Sequence, residues 1–396
     1  MTTQTLDTGN TGNWKDGKRG LWMMGVLWPA LPLISAALAL GTGLGLFWWL
    51  TPVVIYGVLP LLDKLVGEDS NNAPESAVAA LENDRYYRLA TYLFIPVQYL
   101  SIIGGAWLAV KGGLPLLDIL GLAVSVGLVS GAGINTAHEL GHKRETLERW
   151  LARITLAPAM YGHFYVEHNR GHHVRVATPE DPASSRLGES FYAFWPRSVI
   201  GSLKSSWHLE KARLERQGKS VWHWSNDNLQ SWGMTVLLFG ALAVWLGPVV
   251  LPFLIFQGFI GFSLLEVVNY LEHYGLVRQK EASGRYERCK PEHSWNSNHT
   301  VTNLMLYHLQ RHSDHHANPM RRYQALRHFE QAPQLPSGYA GMIVVAMIPP
   351  LWRSMMDKRV LAHYAGDVTR ANIHPPVREK ILAKYGADYQ TQRVGA

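Results

Sequence analysis

The stretch Leu114-Pro-Leu-Leu-Asp-Ile-Leu-Gly-Leu-Ala-Val-Ser-Val-Gly-Leu-Val-Ser-Gly-Ala-Gly-Ile-Asn-Thr136 runs through Ala137 directly into His138-Glu-Leu-Gly-His142. Its first part carries one charge, Asp118, and has the roughly 20 residues needed to cross a hydrocarbon core about 30 Å thick. Its second part sets two imidazoles four residues apart, so that on a helix they lie one turn above the other and can close on one metal ion. A membrane helix that delivers metal ligands at its end is the frame for the rest of the chain.

Five further apolar runs have the length of a span or come near it: about Leu21 to Leu40, Gly43 to Leu62, Tyr87 to Val110, Trp232 to Trp245 with its extension, and Val249 to Leu271. Mean hydropathy over the 396 residues is only −0.05, because the segments Glu139 to Gln230 and Glu272 to Ala396 are polar and rich in His and Arg. The average conceals a membrane protein. The expected fold is all-α, a six-transmembrane-helix bundle with a helical cytoplasmic cap rich in histidine. The expected division is an N-terminal tail over 1–20, spans one to four over 21–136, a catalytic segment over 137–230, spans five and six over 231–271, and a second catalytic segment with the C-terminal tail over 272–396. The apolar stretch Gly338 to Leu351 is short and carries Pro349 and Pro350, so it is expected at the interface or packed on the body.

Basic residues set the orientation, since Lys and Arg concentrate on the cytoplasmic side. Lys15, Lys18 and Arg19 precede the first run, Lys64, Arg85 and Arg88 follow the second, and both polar segments are dense in Arg and Lys. The turn after the first run and the turn at Gly247 and Pro248 carry none, and the turn after the third carries Lys111 alone. Six spans then place both termini and every histidine set in the cytoplasm. The net charge of +7 follows largely from this distribution; it requires no nucleic-acid partner, and it suits the docking of an acidic soluble protein. The N-terminus does not read as a cleaved signal, because its apolar run is too long and a second follows at once.

Histidine is clustered. His138 and His142 form one set, His168, His172 and His173 a second, His273 a third, and His312, His315 and His316 a fourth. In the second and fourth sets a first histidine precedes an adjacent pair. One member of the pair shares a helical face with the first residue and the other points about 100° away, so each pair can serve two metals. His208, His223, His328, His363 and His374 stand alone and carry no such pattern. The first set also fits a zinc-protease motif with Glu139 as general base, but that chemistry needs three protein ligands and one open position, and nine histidines exceed it. A metal transporter would hold its ligands near the bilayer midplane, whereas most of these lie at or beyond the ends of the apolar runs.

Imidazole suits zinc, copper, iron and nickel alike. Nine neutral donors overfill two tetrahedral zinc sites, while two irons at five or six coordinates use them and keep positions open for dioxygen. Cys289 is the only cysteine, so no iron–sulfur cluster is held by this chain alone and electrons must arrive from elsewhere. Soluble di-iron bundles use Glu with Glu-x-x-His; here the ligands are histidine boxes.

The order His-x3-His, His-x3-His-His, His-x2-His-His resembles the integral-membrane desaturase and hydroxylase superfamily. Asn269-Tyr-Leu-Glu-His-Tyr-Gly-Leu276 is similar to the additional box of the membrane-bound alkane 1-monooxygenases, as are His138 to Lys143, Glu167 to His173 and Leu309 to His316. The resemblance extends from about Trp22 to about Arg327. It implies hydroxylation of the terminal methyl of a linear alkane with dioxygen and two electrons, the electrons coming from a rubredoxin fed by an NADH-dependent reductase, in a bacterial inner membrane. It also implies that His138, His142, His168, His172, His173, His273, His312, His315 and His316 bind two non-haem irons. On the same scaffold the alternatives are a fatty-acyl desaturase and an aromatic-methyl hydroxylase of the xylene type. The box around His273 favours the alkane group.

A primary C–H bond offers no polar handle, so an apolar channel must present the chain end. Candidate lining residues are Trp48, Trp49, Ile55, Tyr56, Leu59 and Leu128, with a floor near Ile134 and Asn135. Ligating histidines usually donate their second N–H to a carboxylate or carbonyl. Glu139, Glu167, Glu272, Asp314 and Asn269 are candidates by position, with Asp181, Glu266 and Glu292 more distant. The absence of an obvious bridging carboxylate suggests two well-separated irons.

Overall fold

The computed structural model describes residues 14–394. Residues 1–13 of the expected N-terminal tail and the last two of the C-terminal tail lie outside them. Four helices of spanning length come first: α1 (Arg19–Thr42), α2 (Gly45–Val66), α3 (Arg85–Lys111) and α4 (Leu116–Gly141). Two helices outside the spanning set follow, α5 (Thr146–Leu156) and α6 (Phe191–Glu215), and then the last two spans, α7 (Asp227–Leu246) and α8 (Pro248–His273). The C-terminal part adds α9 (His312–Ala317), α10 (Tyr339–Ala346) and α11 (Pro349–His363). Strand pairing among the described residues is limited to isolated bridges. The all-α six-span bundle is the architecture that the sequence implies. The 8-residue α10 is only about 12 Å long at 1.5 Å per residue, too short to span, and it packs against α8 and α2.

Why these segments are stable in lipid is visible on their outer faces. Leu46, Leu65, Leu116, Leu237 and Val244 are each more than 60% exposed, a pattern that water would penalise and a hydrocarbon core does not. α4 differs. Its most apolar window is 72% buried, against 22–39% for the other spans, so it is the central helix around which the others stand.

Glycines set the contact between α4 and α8. A Cβ on Gly131 of α4 would lie 2.7 Å from the carbonyl oxygen of Gly261 on α8, and one on Gly127 would lie 2.7 Å from the carbonyl oxygen of Gln257. Small residues at such positions let two backbones approach, which drives helix association in lipid where no hydrophobic force operates. The Ser130 hydroxyl donates to Gln257 Oε1 at 2.6 Å and fixes the register. The contact brings the C-terminal ends of α4 and α8 side by side, and these ends carry His138 and His273. The expected divisions at 136/137 and 271/272 therefore fall inside α4 and α8: both histidines sit on the last turns of spanning helices, not on a separate segment.

Gly131→Val inserts a branched side chain into this contact. Overpacking of this kind costs about 1–3 kcal/mol, so the variant should show a lower thermal unfolding midpoint in detergent, measured by tryptophan fluorescence. An unchanged midpoint would mean that the α4–α8 approach is not what the bundle depends on.

Candidate metal centre

Four pieces of chain supply the imidazoles. His138 and His142 come from the end of α4, His273 from the last residue of α8, and His312, His315 and His316 from α9. The fourth piece, Glu167–His172, is a π-helical turn. The wider turn alters which residues share a face, so that His168 aligns with His173 and His172 is turned away. π turns of this sort recur at functional sites.

The nine imidazoles divide into two groups. His138, His142, His168, His173 and His315 form one, and His172, His273, His312 and His316 the other, with the donor atoms of each group within 4.8 Å of one another. Both adjacent pairs are split between the groups. Contacts inside each group run between Nε2 atoms: 2.7 Å for His138–His315, 3.0 Å for His142–His168, His168–His173 and His173–His315, 3.2 Å for His172–His316, 3.3 Å for His273–His312 and 2.9 Å for His312–His316. Two nitrogens bound at about 2.1 Å to one ion stand ~3.0 Å apart at a right angle and ~3.4 Å apart at a tetrahedral angle. The short contacts run from 2.7 to 3.3 Å, and the other donor pairs of each group lie within 4.8 Å. Five donors and four donors converging in this way could each hold one metal ion.

The protonation state suits ligation. Burial, reinforced by the neighbouring imidazoles, holds His142, His168, His173, His312, His315 and His316 well below the usual histidine range. They are neutral at pH 7 and carry a free lone pair. In the second group two tautomers are fixed from outside. His172 donates Nδ1–H to Asp181 Oδ2 at 2.9 Å, and His273 donates Nδ1–H to the main-chain carbonyl of His293 at 3.2 Å; each leaves Nε2 as the donor toward a metal. Burial opposes ionisation of Asp181, but His172 and the Ser184 hydroxyl outweigh it and draw the carboxyl down to about 2.

The carboxylates chosen by sequence position behave differently. Glu272 faces the metal side: its Oε2 stands 3.2 Å from His312 Nε2, and its Oε1 accepts the Tyr339 hydroxyl at 2.9 Å. Glu139 pairs with Lys143 at 3.0 Å, Glu167 accepts from Arg175 at 2.7 Å, and Asp314 is held by Arg327 at 2.9 Å; none bonds an imidazole. They serve as struts instead. Asp314 anchors α9, and Arg170, inside the π turn, is tied to Glu210 and to Asp227, which also holds Arg153. Glu266 accepts from Tyr161, Asn269 lines the cavity described below, and Glu292 borders a surface hollow with His293. The carbonyl of His293 has no signature in sequence, since any residue can present one. Of the lone histidines, His208 is exposed and His223, His328, His363 and His374 stay outside both groups.

An apolar cavity of about 60 Å³ ends on the centre. Trp28, Ile55, Ala132, Leu264, Leu306 and Ile343 line its length, while His138 and His168 of one group and His312 of the other, together with Glu272, form its inner end. Asn135 also lines it and donates to the Leu306 carbonyl at 2.8 Å. Tyr56 and Leu128 border a neighbouring apolar cavity that shares Leu264 and Ile343. Trp48, Trp49, Leu59 and Ile134 line neither. Trp48 packs with Ile102 and Phe253, Trp49 covers Gly121, Leu59 packs with Tyr87 and Phe94, and Ile134 with Ile95 and Leu156. Their helices turn these faces to other helices, which a run of apolar residues does not reveal.

Asp181→Ala removes the acceptor that orients His172. Losing such a partner typically weakens metal binding about 10- to 100-fold, so the variant should release metal to a chelator at correspondingly lower chelator concentration, while Glu139→Gln should not. Equal retention in the two variants would show that Asp181 does not act on the centre.

A model of the fatty acid desaturase family matches residues 116–346. Alkane 1-monooxygenase 1 of Alcanivorax borkumensis is 50% identical over 380 residues, covering 96% of this chain and 94% of that protein. The alkane 1-monooxygenase of Pseudomonas putida is 49% identical over 381 residues, with 96% and 94% covered. The hydroxylase component of the xylene/toluene monooxygenase of Pseudomonas putida is more distant, 28% identical over 335 residues, with 83% and 86% covered.

Proposed function

The chain belongs to the alkane 1-monooxygenases, within the wider fatty acid desaturase family, and from that premise we propose that it hydroxylates the terminal methyl of linear alkanes with dioxygen at a centre of two non-haem irons. It is a multi-pass membrane oxidoreductase. The observation that carries the reading is the shared end of the apolar cavity: a site that both imidazole groups face, reached through a wall that offers an alkane nothing but shape.

The nine histidines would hold the irons, five on one and four on the other, with Glu272 placed to add a donor on the four-histidine side. When bound, such a pair supplies the two-electron activation of dioxygen. The chain itself does three things. Asp181 and the His293 carbonyl fix imidazole tautomers. Trp28, Ile55, Leu264 and Leu306 exclude water and confine the substrate to one approach. The inner wall, with Asn135 committed to the Leu306 carbonyl, holds the chain end toward His138, His168 and His312, a positioning effect of the kind that lowers barriers by several kcal/mol in well-oriented reactions.

A cytoplasmic location for the histidine face, in a bacterial inner membrane, is supported by the distribution of Lys and Arg. With one cysteine, the chain needs an external electron carrier, and a rubredoxin with its NADH-dependent reductase fits the family. The stronger similarity to alkane enzymes than to the xylene/toluene component favours an alkane over an aromatic methyl group.

Purified protein should contain two irons per chain, and with rubredoxin, reductase and NADH it should convert an n-alkane to the 1-alkanol carrying one atom of labelled dioxygen. An unlabelled alkene would identify a desaturase, and one zinc without iron would remove the di-iron reading. His273→Ala should lose iron from the four-histidine group and at least about 100-fold in turnover, as general losses of a metal ligand or its support imply. Ala132→Leu, which intrudes on the cavity, should reduce oxidation of long alkanes more than of short ones; equal loss across chain lengths would show that the cavity does not hold the substrate.

A further inference from the structure

The two central spans end alike. α4 carries Asn135 one turn before its histidine His138, and α8 carries Asn269 one turn before its histidine His273. Both asparagines line the apolar cavity. A carboxamide in such a wall is costly unless something bonds to it, so each position needs a reason.

The other polar side chains on that wall are engaged within the protein. Asn135 donates to the Leu306 carbonyl at 2.8 Å. Thr302 donates to Asp63 Oδ2 at 2.5 Å and accepts from Gln310 Nε2 at 2.8 Å. Tyr339 donates to Glu272 Oε1 at 2.9 Å, and Glu272 Oε2 faces His312. His138, His168 and His312 make the Nε2 contacts of the two imidazole groups.

Asn269 is the exception. It is buried, 9% exposed, and among the described residues no hydrogen bond of ordinary length and angle holds its side chain. Glu266, one turn earlier on α8, stands beside it and accepts the Tyr161 hydroxyl at 2.6 Å. A carboxylate only accepts, so Glu266 draws the amide nitrogen toward itself and leaves the amide oxygen, Oδ1, for the cavity. Asn269 sits at the inner end, since it and His168 border both the cavity and the smaller hollow beside it.

An alkane enters this space with no polar atom, and the product leaves with one. We propose that Asn269 is the subsite for the hydroxyl of the product 1-alkanol, with Oδ1 accepting its O–H while the alkyl chain keeps its contacts with Trp28, Ile55, Leu264 and Leu306. The carboxamide then contributes nothing to alkane binding and favours the alcohol of the same chain length, so one side chain separates the retention of product from the capture of substrate. This inference rests on the monooxygenase reading.

The test titrates iron-loaded enzyme in lipid nanodiscs with a 1-alkanol in the absence of rubredoxin and NADH, so that binding is read without turnover. Asn269→Leu, similar in size, should keep both irons, bind the alkanol about 3- to 10-fold more weakly, the worth of one hydrogen bond, and show an alkane KM within about twofold of the unaltered enzyme once electrons are supplied. Unchanged alkanol affinity at full iron overturns the subsite, and so does equal weakening for alkanol and alkane, which marks a packing role. Should Asn269→Leu lose iron, the unaltered enzyme decides. An alkyl methyl ether with the same number of heavy atoms keeps the oxygen but has no O–H to give, and it should bind about 3- to 10-fold more weakly than the alkanol; equal affinity overturns the subsite. An unaltered enzyme that forms no alkanol from an n-alkane defeats the monooxygenase reading, whereas one that forms alkanol while Asn269→Leu holds it as tightly defeats the subsite alone.

Discussion

Nine imidazoles converge in two groups, with neighbouring Nε2 atoms 2.7–3.3 Å apart, an arrangement that a folded chain does not favour on its own. Lone pairs crowd one another, and burial removes the water that would separate them. A cation at the focus of each group would turn this crowding into attraction, and its binding would then be coupled to the packing of four separate pieces of chain.

The remainder of the molecule limits how far each piece can stray before the ions bind. Glycines let α4 and α8 approach until their last turns are adjacent. Arg170 fastens the π turn to Glu210 and Asp227, and Asp314 fastens α9 to Arg327. These ion pairs lie outside the centre and leave the imidazoles free. Carboxylates next to a ligand in sequence thus hold backbone, while Asp181, eight residues beyond the nearest pair, holds an imidazole.

One cavity ends at the ligands behind an apolar wall, and a smaller hollow beside it shares Phe164, His168 and Asn269 with that wall and is likewise bounded mostly by apolar surface. Water finds little to bind along such walls, so the approach to His138, His168 and His312 is restricted by shape.

How much of this was legible beforehand depends on the range of the interaction concerned. Six apolar runs, the basic residues that flank them and nine clustered histidines determined the all-α membrane class and the ligand types, because hydrophobic length and side-chain chemistry are local properties. Spacing within each box also anticipated that an adjacent pair divides between two groups. The tertiary structure decided the rest. It aligned His168 with His173 and turned His172 away through a π turn that a 3.6-residue period does not foresee, and it made Asp181 and a main-chain carbonyl the partners of His172 and His273. It also kept Ile55 and Asn135 at the apolar cavity while turning Trp48, Trp49, Leu59 and Ile134 toward other helices. Which face of a membrane helix meets a neighbour is set by contacts between residues far apart in the chain, and a sequence that is apolar on every face carries no record of that choice.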